Sequence, residues 1–463
     1  MLRDHPTDKD DLRKGRRNPF ELIDDARLNK KIYLILLVAG IGAFADYYNT
    51  AGILTPSSLS YLKFFKASTV LYGHFVFFLN IGILIGALTW GPLVDLFGRA
   101  RIFFIDLICM LLFATLSIFS TNFTEFQVFR ILTGFAIGGD YGAALPFLSE
   151  FAPKAIRGRV LALFWVMAQT GLVTGTLVSY FFLASTNISP EVWKIIFVTG
   201  LIPILIGAVL RYSVPESARW LFYKGKTDKA LEAVQRVTGT SVNEGITAAA
   251  EVRDFKRNLP IYLLLLIPCF IGIYATAMPA GLATYFFPYI TQSLGLSKLT
   301  SVLFQVPEVW MAEIVFTLIL ALITDRIGRL KSLIAGGTVL VISTLAIVLF
   351  THNVGALLPI IFISNGSSVF TQTIIINWGA ELFPINMRGI ASGVNIAAFR
   401  LSLASTGFLE PILIGIGGVV ALYTFLGLLS LVGLLVVLAV IGKRGSVEGK
   451  SLEEVSETFG KNK

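Results

Sequence analysis

Charged side chains are scarce in this sequence. Asp, Glu, Lys and Arg make up 14% of its 463 residues, whereas a soluble globular protein carries about 25%. There are two cysteines and three histidines, the cysteines lie in separate apolar stretches, and no CxxC pair occurs. We therefore expect no disulfide framework, no metal site and no cofactor. No nucleotide-binding motif is present, which argues against an ATP-driven pump, and no enzymatic activity is predicted.

Apolar residues dominate instead, at 55% of the chain. A membrane-spanning helix needs about 20 apolar residues, and stretches of that length occur twelve times. Each must be helical because lipid cannot satisfy open backbone groups. The sequence therefore predicts an all-α membrane protein with twelve transmembrane helices. The predicted spans are 32–56, 70–90, 102–120, 126–149, 160–184, 193–212, 260–290, 302–323, 332–350, 354–380, 389–416 and 417–441.

The basic residues predict how these spans are oriented. With both termini in the cytosol, 32 of the 38 lysines and arginines lie on the cytosolic side and 4 on the outer side, as the positive-inside rule requires. The net charge of +9 then faces anionic lipid and gives no reason to expect nucleic acid. The charged first 31 residues indicate a cytosolic arm and no signal peptide. We predict a multi-pass plasma-membrane protein with both termini cytoplasmic.

An internal repeat divides the chain into two similar halves. GPLVDLFGRAR (91–101) recurs as ALITDRIGRLK (321–331), and EFAPKAIRG (150–158) recurs as ELFPINMRG (381–389), at offsets of 230 and 231 residues. Repeats at one offset indicate duplication of a structural unit. We therefore expect two pseudo-symmetric six-helix bundles. The predicted domains are a cytosolic arm (1–31), an N-terminal bundle (32–212), a cytosolic linker with a short helix (213–259), a C-terminal bundle (260–441) and a cytosolic tail (442–463).

These motifs resemble those of the major facilitator superfamily. The D-x-x-G-R pattern at 95–99, its echo at 325–329 and R-x-x-x-G at 130–134 carry the resemblance, which covers nearly the whole chain. It implies a secondary transporter whose two bundles enclose a central cavity and open it alternately to either side. It also implies a small-molecule substrate, and we expect a monomer in the lipid bilayer.

Two branches of this superfamily are similar to the chain. PESARWL (215–221) resembles a segment of the sugar-porter and organic-ion branches, whereas GGDY (138–141) and FADYYN (44–49) resemble the metabolite and phosphate–proton symporters. The QQxxGxN segment of hexose porters is missing from the seventh span, and so is the acidic residue that phosphate symporters carry there. The motifs therefore leave the branch open.

Eight charged residues of the repeated loops form a predicted gating network. Acids and bases of neighbouring loops can pair when the cytosolic face is closed and separate when the two halves rock; the alternative is a set of solvated charges. The eight residues are Asp95, Arg99, Glu150, Arg157, Asp325, Arg329, Glu381 and Arg388.

Carboxylates inside predicted spans are candidates for proton coupling. Gly134, Gly138 and Gly142 form one stripe of the fourth span, where a neighbouring helix can approach closely. Asp140 points away from that stripe, so we expect it to face a wet cavity. Asp46 of the first span and Glu313 of the eighth are the other candidates, because burial lets a carboxylate bind and release protons near working pH. The alternative for Asp46 and Asp140 is a structural pair with an arginine at a helix end.

Arg400, near the middle of the eleventh span, is the leading candidate for substrate binding. Its planar guanidinium suits a carboxylate or phosphate; the alternative is an ion pair with Asp46 or Asp140. Gln169 is its repeat mate, and the resemblance implies that a span-five glutamine contacts substrate. The other candidate substrate-binding residues are Tyr47, Tyr141, Tyr274, Trp378 and Asn395.

The resulting hypothesis is proton-coupled symport of a small hydrophilic metabolite by alternating access. An anion such as an organic carboxylate or phosphate is the preferred substrate, because of Arg400. The alternative is a sugar porter, either proton-coupled or facilitative, which PESARWL and Gln169 favour. A transport-inactive nutrient receptor is a third hypothesis. In the preferred hypothesis the proton gradient is the energy source.

Overall fold

The computed structural model describes residues 20–26, 30–212, 214–239, 251–293, 297–351, 354–442, 447, 450, 452 and 455. The described residues form helices joined by short connections. The helices are α1 Glu21–Asp24, α2 Lys30–Tyr47, α3 Ile53–Phe64, α4 Thr69–Phe97, α5 Arg99–Ile118, α6 Phe123–Phe151, α7 Arg157–Ser185, α8 Val192–Arg211, α9 Ala218–Tyr223, α10 Thr227–Thr238, α11 Glu251–Ser293, α12 Lys298–Gln305, α13 Met311–Ile327, α14 Arg329–Leu349, α15 Val354–Glu381 and α16 Arg388–Val440.

Among the described residues, eleven helical segments are long and apolar enough to cross a membrane. Two of them contain a π-helical turn, Tyr48–Gly52 between α2 and α3 and Val306–Trp310 between α12 and α13. The 53-residue α16 loses helical geometry at Gly417 and Gly418. It therefore consists of two helices, which correspond to the eleventh and twelfth predicted spans. The predicted fold class, an all-α membrane protein of twelve spans, is confirmed, and the predicted division between the last two spans lies at this break.

Glycines let α6 pack closely against α4. A side-chain carbon on Gly138 would collide with the backbone of residues 83–87, and one on Gly142 would lie 3.5 Å from the backbone of Gly91. Small residues at this spacing allow two helix backbones to touch, which is how helices associate in lipid without a hydrophobic driving force. The packing brings the loop after α4 next to the loop after α6.

Segments outside the spans gather at the face that carries the repeated loops. Phe20 and Ile23 of the N-terminal arm pack with Trp220 of α9 and Val234 of α10 in one apolar cluster. Most of the predicted arm (1–31) and tail (442–463) lies outside the described residues. The domain boundaries stay a prediction.

Candidate functional site

Aromatic side chains lie around Arg400 where the two halves meet. Tyr47 of α2, Tyr141 of α6 and Trp165 of α7 come from the first half, and Arg400 of α16 comes from the second. The Arg400 guanidinium lies 5.7 Å from the Tyr141 ring centroid and 6.0 Å from that of Tyr47. The rings of Tyr141 and Trp165 stack at 5.6 Å. Cation–π attraction therefore holds a buried guanidinium at the centre of the molecule.

Buried polar atoms of Arg400, of the adjacent Tyr141 and of Gln169, one helical turn after Trp165, lack partners among the residues that the structure describes. They are Nε and Nη2 of Arg400, the Tyr141 hydroxyl and Oε1 of Gln169. A buried polar group left without a hydrogen bond costs about 1–3 kcal/mol, so a ligand that supplies partners is favoured here. Because the set contains both donors and acceptors, it suits a molecule with several hydroxyl groups.

Two side-chain hydrogen bonds cross between the halves beside this cluster. Trp165 Nε1 donates to Asn377 Oδ1 at 3.0 Å, and Gln169 Nε2 donates to Thr317 Oγ1 at 3.0 Å. The structure thus places Gln169 at the boundary where the sequence predicted a substrate contact, with its carbonyl oxygen unused. Both bonds must break if the halves separate at this point.

Three other candidates for substrate binding lie in the second half. The Tyr274 hydroxyl donates to Ser405 at 3.1 Å, and Asn395 Nδ2 donates to the backbone carbonyls of residues 375 and 376 at 3.2 Å. Trp378 is fully buried. Tyr274 therefore ties α11 to α16, and Asn395 ties α15 to α16. Their role in binding stays a prediction.

A second polar cluster lies inside the first half, next to Tyr47. Arg211, at the end of α8, reaches two carboxylates: its Nη2 lies 2.6 Å from Asp140 Oδ1 and its Nη1 lies 3.3 Å from Asp106 Oδ1. The carboxyl group of Asp46 lies beside that of Asp140. All four side chains belong to residues that are at most 1% exposed. We call Asp46, Asp106, Asp140 and Arg211 the carboxylate cluster.

The charges of the carboxylate cluster do not balance when every group is ionised. Three carboxylates then face one guanidinium, and an uncompensated buried charge costs several kcal/mol. The charge imbalance is relieved if protons are bound, in which case the carboxyl groups share them and titrate together. No group of three or more His, Cys, Asp and Glu side chains suited to a metal ion was found in the described part of the chain. The cluster can therefore store protons.

The expected environment of Asp140 was wrong. The sequence placed it in a wet cavity, whereas it is 1% exposed and paired with Arg211 inside the first half. The stated alternative, a pair with an arginine at a helix end, is the arrangement found in this conformation. The position of Asp140 around its helix shows which way the side chain points. It does not show that an arginine of α8 lies on that side. Asp106 was missed, although a charged residue inside the predicted span 102–120 is the same signal that identified Asp46.

Glu313 and Arg400 are not joined to these carboxylates. Glu313 of α13 is 4% exposed and lies beside Asn365 of α15. Arg400 forms no salt bridge with Asp46 or Asp140 within the described residues, so the alternative ion pair is not present in this conformation. Arg400 is nevertheless close enough to Asp46 for their charges to interact.

Buried ion pairs join seven of the eight residues predicted to form the gating network. Their side chains are at most 8% exposed, and the pair between Arg388 and Glu150 links the second half to the first. The pairs are Arg99–Asp95 (3.2 Å), Arg99–Glu150 (3.3 Å), Arg388–Glu150 (3.3 Å), Arg329–Asp325 (2.9 Å) and Arg329–Glu381 (2.8 Å). The structure therefore brings these repeated residues together, and their gating role stays a prediction.

Two of these carboxylates also cap helices of the opposite half. Asp95 accepts hydrogen bonds of 3.2 and 3.1 Å from the N–H groups of residues 389 and 390, at the start of α16. Asp325 does the same for residues 158 and 159, at the start of α7, at 3.0 and 2.8 Å. A carboxylate at a helix N-terminus is stabilised by the unpaired N–H groups and the helix dipole. The repeat thus produces two equivalent contacts that close this face.

Arg157, the eighth predicted residue, pairs with the N-terminal arm. Its Nη2 lies 2.6 Å from Asp24 Oδ1, and Asp24 Oδ2 lies 2.8 Å from Arg219 Nη2. Arg157 also donates to the carbonyl of Lys450 at 3.2 Å. The arm and the tail therefore meet at Arg157, and Asp24 of the arm also joins Arg219 of the linker. Sequence reasoning missed Asp24 because the contact is not local and no periodic pattern marks it.

The chain is similar in sequence and in fold to known transporters. The family model "Sugar (and other) transporter" matches residues 32–459. The chain is 25% identical to the glucose transporter GlcP of Staphylococcus epidermidis, over 91% of this chain and 96% of that protein. It is 25% identical to the arabinose–proton symporter of Bacillus subtilis, over 92% and 95%. Its fold is similar to that of the proton:xylose symporter XylE bound to 6-bromo-6-deoxy-D-glucose, with a TM-score of 0.80, 20% identity and coverage of 92% and 99%.

The family match spans all twelve predicted membrane helices and the motifs that suggested the superfamily. The fold likeness covers the same length. The matched family is a family of transporters, so the chain is a transporter. It belongs to the sugar (and other) transporter family, within the sugar-porter branch of the major facilitator superfamily.

Proposed function

We propose that this transporter carries a sugar, or a closely related polyhydroxy compound, together with a proton. The family and the names of its relatives support this alternative better than the anionic metabolite that the sequence analysis preferred. Arg400 was the reason for expecting an anion. Its unpaired N–H groups can equally donate to hydroxyl oxygens, and the neighbouring Tyr141 and Gln169 offer uncharged partners.

The carboxylate cluster is the observation that supports proton coupling. It holds three carboxyl groups and one guanidinium in the dry interior of the first half. In our proposal Asp46 binds the transported proton, because it is the carboxyl group without an arginine contact within the described residues and it adjoins Tyr47. Asp140 and Asp106 stay paired with Arg211, and the charges of these three groups determine how readily Asp46 binds a proton.

Substrate and proton affect each other through Arg400. An unprotonated Asp46 interacts with the Arg400 guanidinium, and a protonated Asp46 does not compete for it. Proton binding therefore frees Arg400 to donate to substrate hydroxyl groups. Since such coupling is reciprocal, bound substrate also favours the protonated form of Asp46.

The gating network completes the proposed cycle. Its ion pairs and helix caps hold the loop face closed, and their separation opens the central site to that side. When the bundles rock, Asp95 separates from the start of α16 and Asp325 separates from the start of α7 at the same time. We further propose that this is the cytosolic face, that the protein acts as a monomer in the plasma membrane, and that the proton gradient replaces any cofactor.

A transport assay in liposomes tests this function. The purified protein is reconstituted with a pH-sensitive dye inside, and neutral sugars, sugar alcohols and organic anions are added one at a time. We expect acidification with at least one neutral polyhydroxy compound and none with simple carboxylates or phosphate. Tracer uptake of a sugar without acidification would show a facilitative porter. Acidification with anions alone would contradict the proposed substrate class.

A further inference from the structure

A cavity of about 320 Å³ lies between the start of α5 and the linker helices. It is separate from the Arg400 site, and nothing in the proposed transport cycle uses it. Four of its lining side chains are cationic and two are acidic. The lining residues are Phe97, Arg101, Pro215, Glu216, Trp220, Leu221, Lys226, Lys229, Glu232, Ala233 and Arg236.

The two acidic side chains of this cavity are already occupied. Glu232 pairs with Arg236 at 2.7 Å. Glu216 accepts hydrogen bonds from the N–H groups of residues 99 and 100, at the start of α5, and from that of Ser217. Burial raises the pKa of the Glu216 carboxyl, and these backbone donors oppose that shift. Glu232 is therefore neutralised by Arg236, and within the described residues Glu216 forms no ion pair with the other cations of the cavity and offsets at most one of their charges.

Three cations remain without a carboxylate partner in the described part of the chain. They are Arg101, Lys226 and Lys229. The Lys226 ammonium lies 5.6 Å from the Trp220 ring centroid. Cation–π attraction to this ring therefore helps to hold Lys226 at the cavity. Like charges around one cavity repel each other, and an anion bound among them would remove that repulsion.

The cavity opens at the level where a membrane meets water. Phe97 is the last residue of the span Leu71–Phe97, and its side chain is 52% exposed. Tyr212, just beyond the span Val192–Arg211, is 82% exposed and packs against Phe104 at 5.9 Å. Exposed aromatic residues at span ends mark the head-group region of a bilayer.

We propose that this cavity binds a phosphate group, and that the head group of an anionic phospholipid is its source. Arg101, Lys226 and Lys229 would contact the phosphate, while Phe97 lies where the acyl chains begin. A bound head group would also stabilise the closed loop face, because Trp220 Nε1 donates to the carbonyl of Asp95 at 3.0 Å. A soluble phosphate compound has the same chemistry and is the other source to test.

Binding to the full-length protein in neutral detergent tests this site. Short-chain phosphatidylglycerol, short-chain phosphatidylcholine and inorganic phosphate are each titrated while thermal unfolding is recorded. The test variant is Arg101→Ala/Lys226→Ala/Lys229→Ala. The control is Lys331→Ala. Lys331 is the exposed repeat mate of Arg101 at the start of α14, and it does not line this cavity.

We expect phosphatidylglycerol to raise the unfolding temperature of the wild type and of Lys331→Ala. The triple variant should bind it more weakly by about fivefold per removed cation. If inorganic phosphate alone gives the same variant-dependent shift, the site binds soluble phosphate. Equal shifts in the wild type and the triple variant would overturn the proposal. If the triple variant does not fold, the single variant Lys229→Gln, on the exposed face of α10, gives the same comparison.

Discussion

Asp140 of α6 and Arg211 at the end of α8 form a buried ion pair with a distance of 2.6 Å. The same guanidinium lies 3.3 Å from Asp106, and Asp46 adjoins Asp140. One cation therefore contacts two carboxyl groups, and a third from another helix lies beside them without an arginine contact within the described residues. This relationship makes Arg211 the structural centre of the first half and leaves Asp46 as the group best placed to exchange a proton.

Removing Arg211 should destabilise the protein more than neutralising Asp140. Arg211→Met leaves three buried carboxyl groups without a cation, and breaking a buried pair in this way costs about 3–5 kcal/mol. Asp140→Asn leaves Arg211 its contact with Asp106, so its effect should be smaller. Chemical unfolding in detergent measures both changes. Equal losses in the two variants would show that the charge balance of the cluster does not matter.

The Arg211→Met variant should also become more stable as the pH is lowered. Its folded cluster can take up protons that the unfolded chain does not hold at neutral pH, so protonation favours the folded state. The unfolding temperature should therefore rise as the pH falls from neutral into the mildly acidic range. The wild type, whose carboxylates keep their cation, should show a smaller dependence, and parallel pH profiles would contradict this explanation.

The two helix caps should hold the loop face closed. Asp95→Asn combined with Asp325→Asn removes the charge that faces the starts of α16 and α7 and weakens the contact between the halves. Spin labels on cysteines at Arg236 and Lys331, both exposed, report the distance across this face. We expect a larger population at long distances in the double variant. Glu125→Gln, at the opposite end of α6, is the control.

The N-terminal arm should contribute to the same closed state through Asp24. Asp24→Asn removes a buried charge that pairs with Arg157 and Arg219. Asp25→Asn is a matched control, because the neighbouring Asp25 side chain is 54% exposed and pairs with Lys154, 37% exposed, where an ion pair contributes little. We expect the first change to alter the transport rate and the label distance described above, and the second to change neither. Identical behaviour of both variants would leave the arm without a role in gating.

Much of this fold follows from the sequence, because each span needs only a long apolar stretch. The repeat also pointed to acid–base pairs between neighbouring loops, but it did not predict that Asp95 and Asp325 cap helices of the opposite half. The span ends were less accurate: α4 runs to Phe97, beyond the predicted end at residue 90. Its last turns contain Asp95 and lie at the membrane boundary, where hydropathy no longer marks the helix.

The polar contacts were harder to predict than the spans. Helical phase shows that Asp140 points away from its glycine stripe, but it cannot show which helix lies opposite. A helix-end arginine was the alternative partner expected for Asp140, but Arg211 was counted with the loop charges and was not identified as that arginine. Asp24 and Arg157 are 133 residues apart, and no local pattern connects them. Pairings of this kind depend on tertiary packing.

Whether Asp46 carries the transported proton can be measured in liposomes. Sugar-driven proton uptake and sugar exchange are measured in the same liposomes for the wild type, Asp46→Asn and the control Glu308→Gln, a partly buried carboxylate outside the cluster. We predict that Asp46→Asn keeps exchange of labelled sugar and loses proton uptake, while the control keeps both. An Asp46→Asn protein that still takes up protons with its sugar would show that Asp46 does not carry the transported proton.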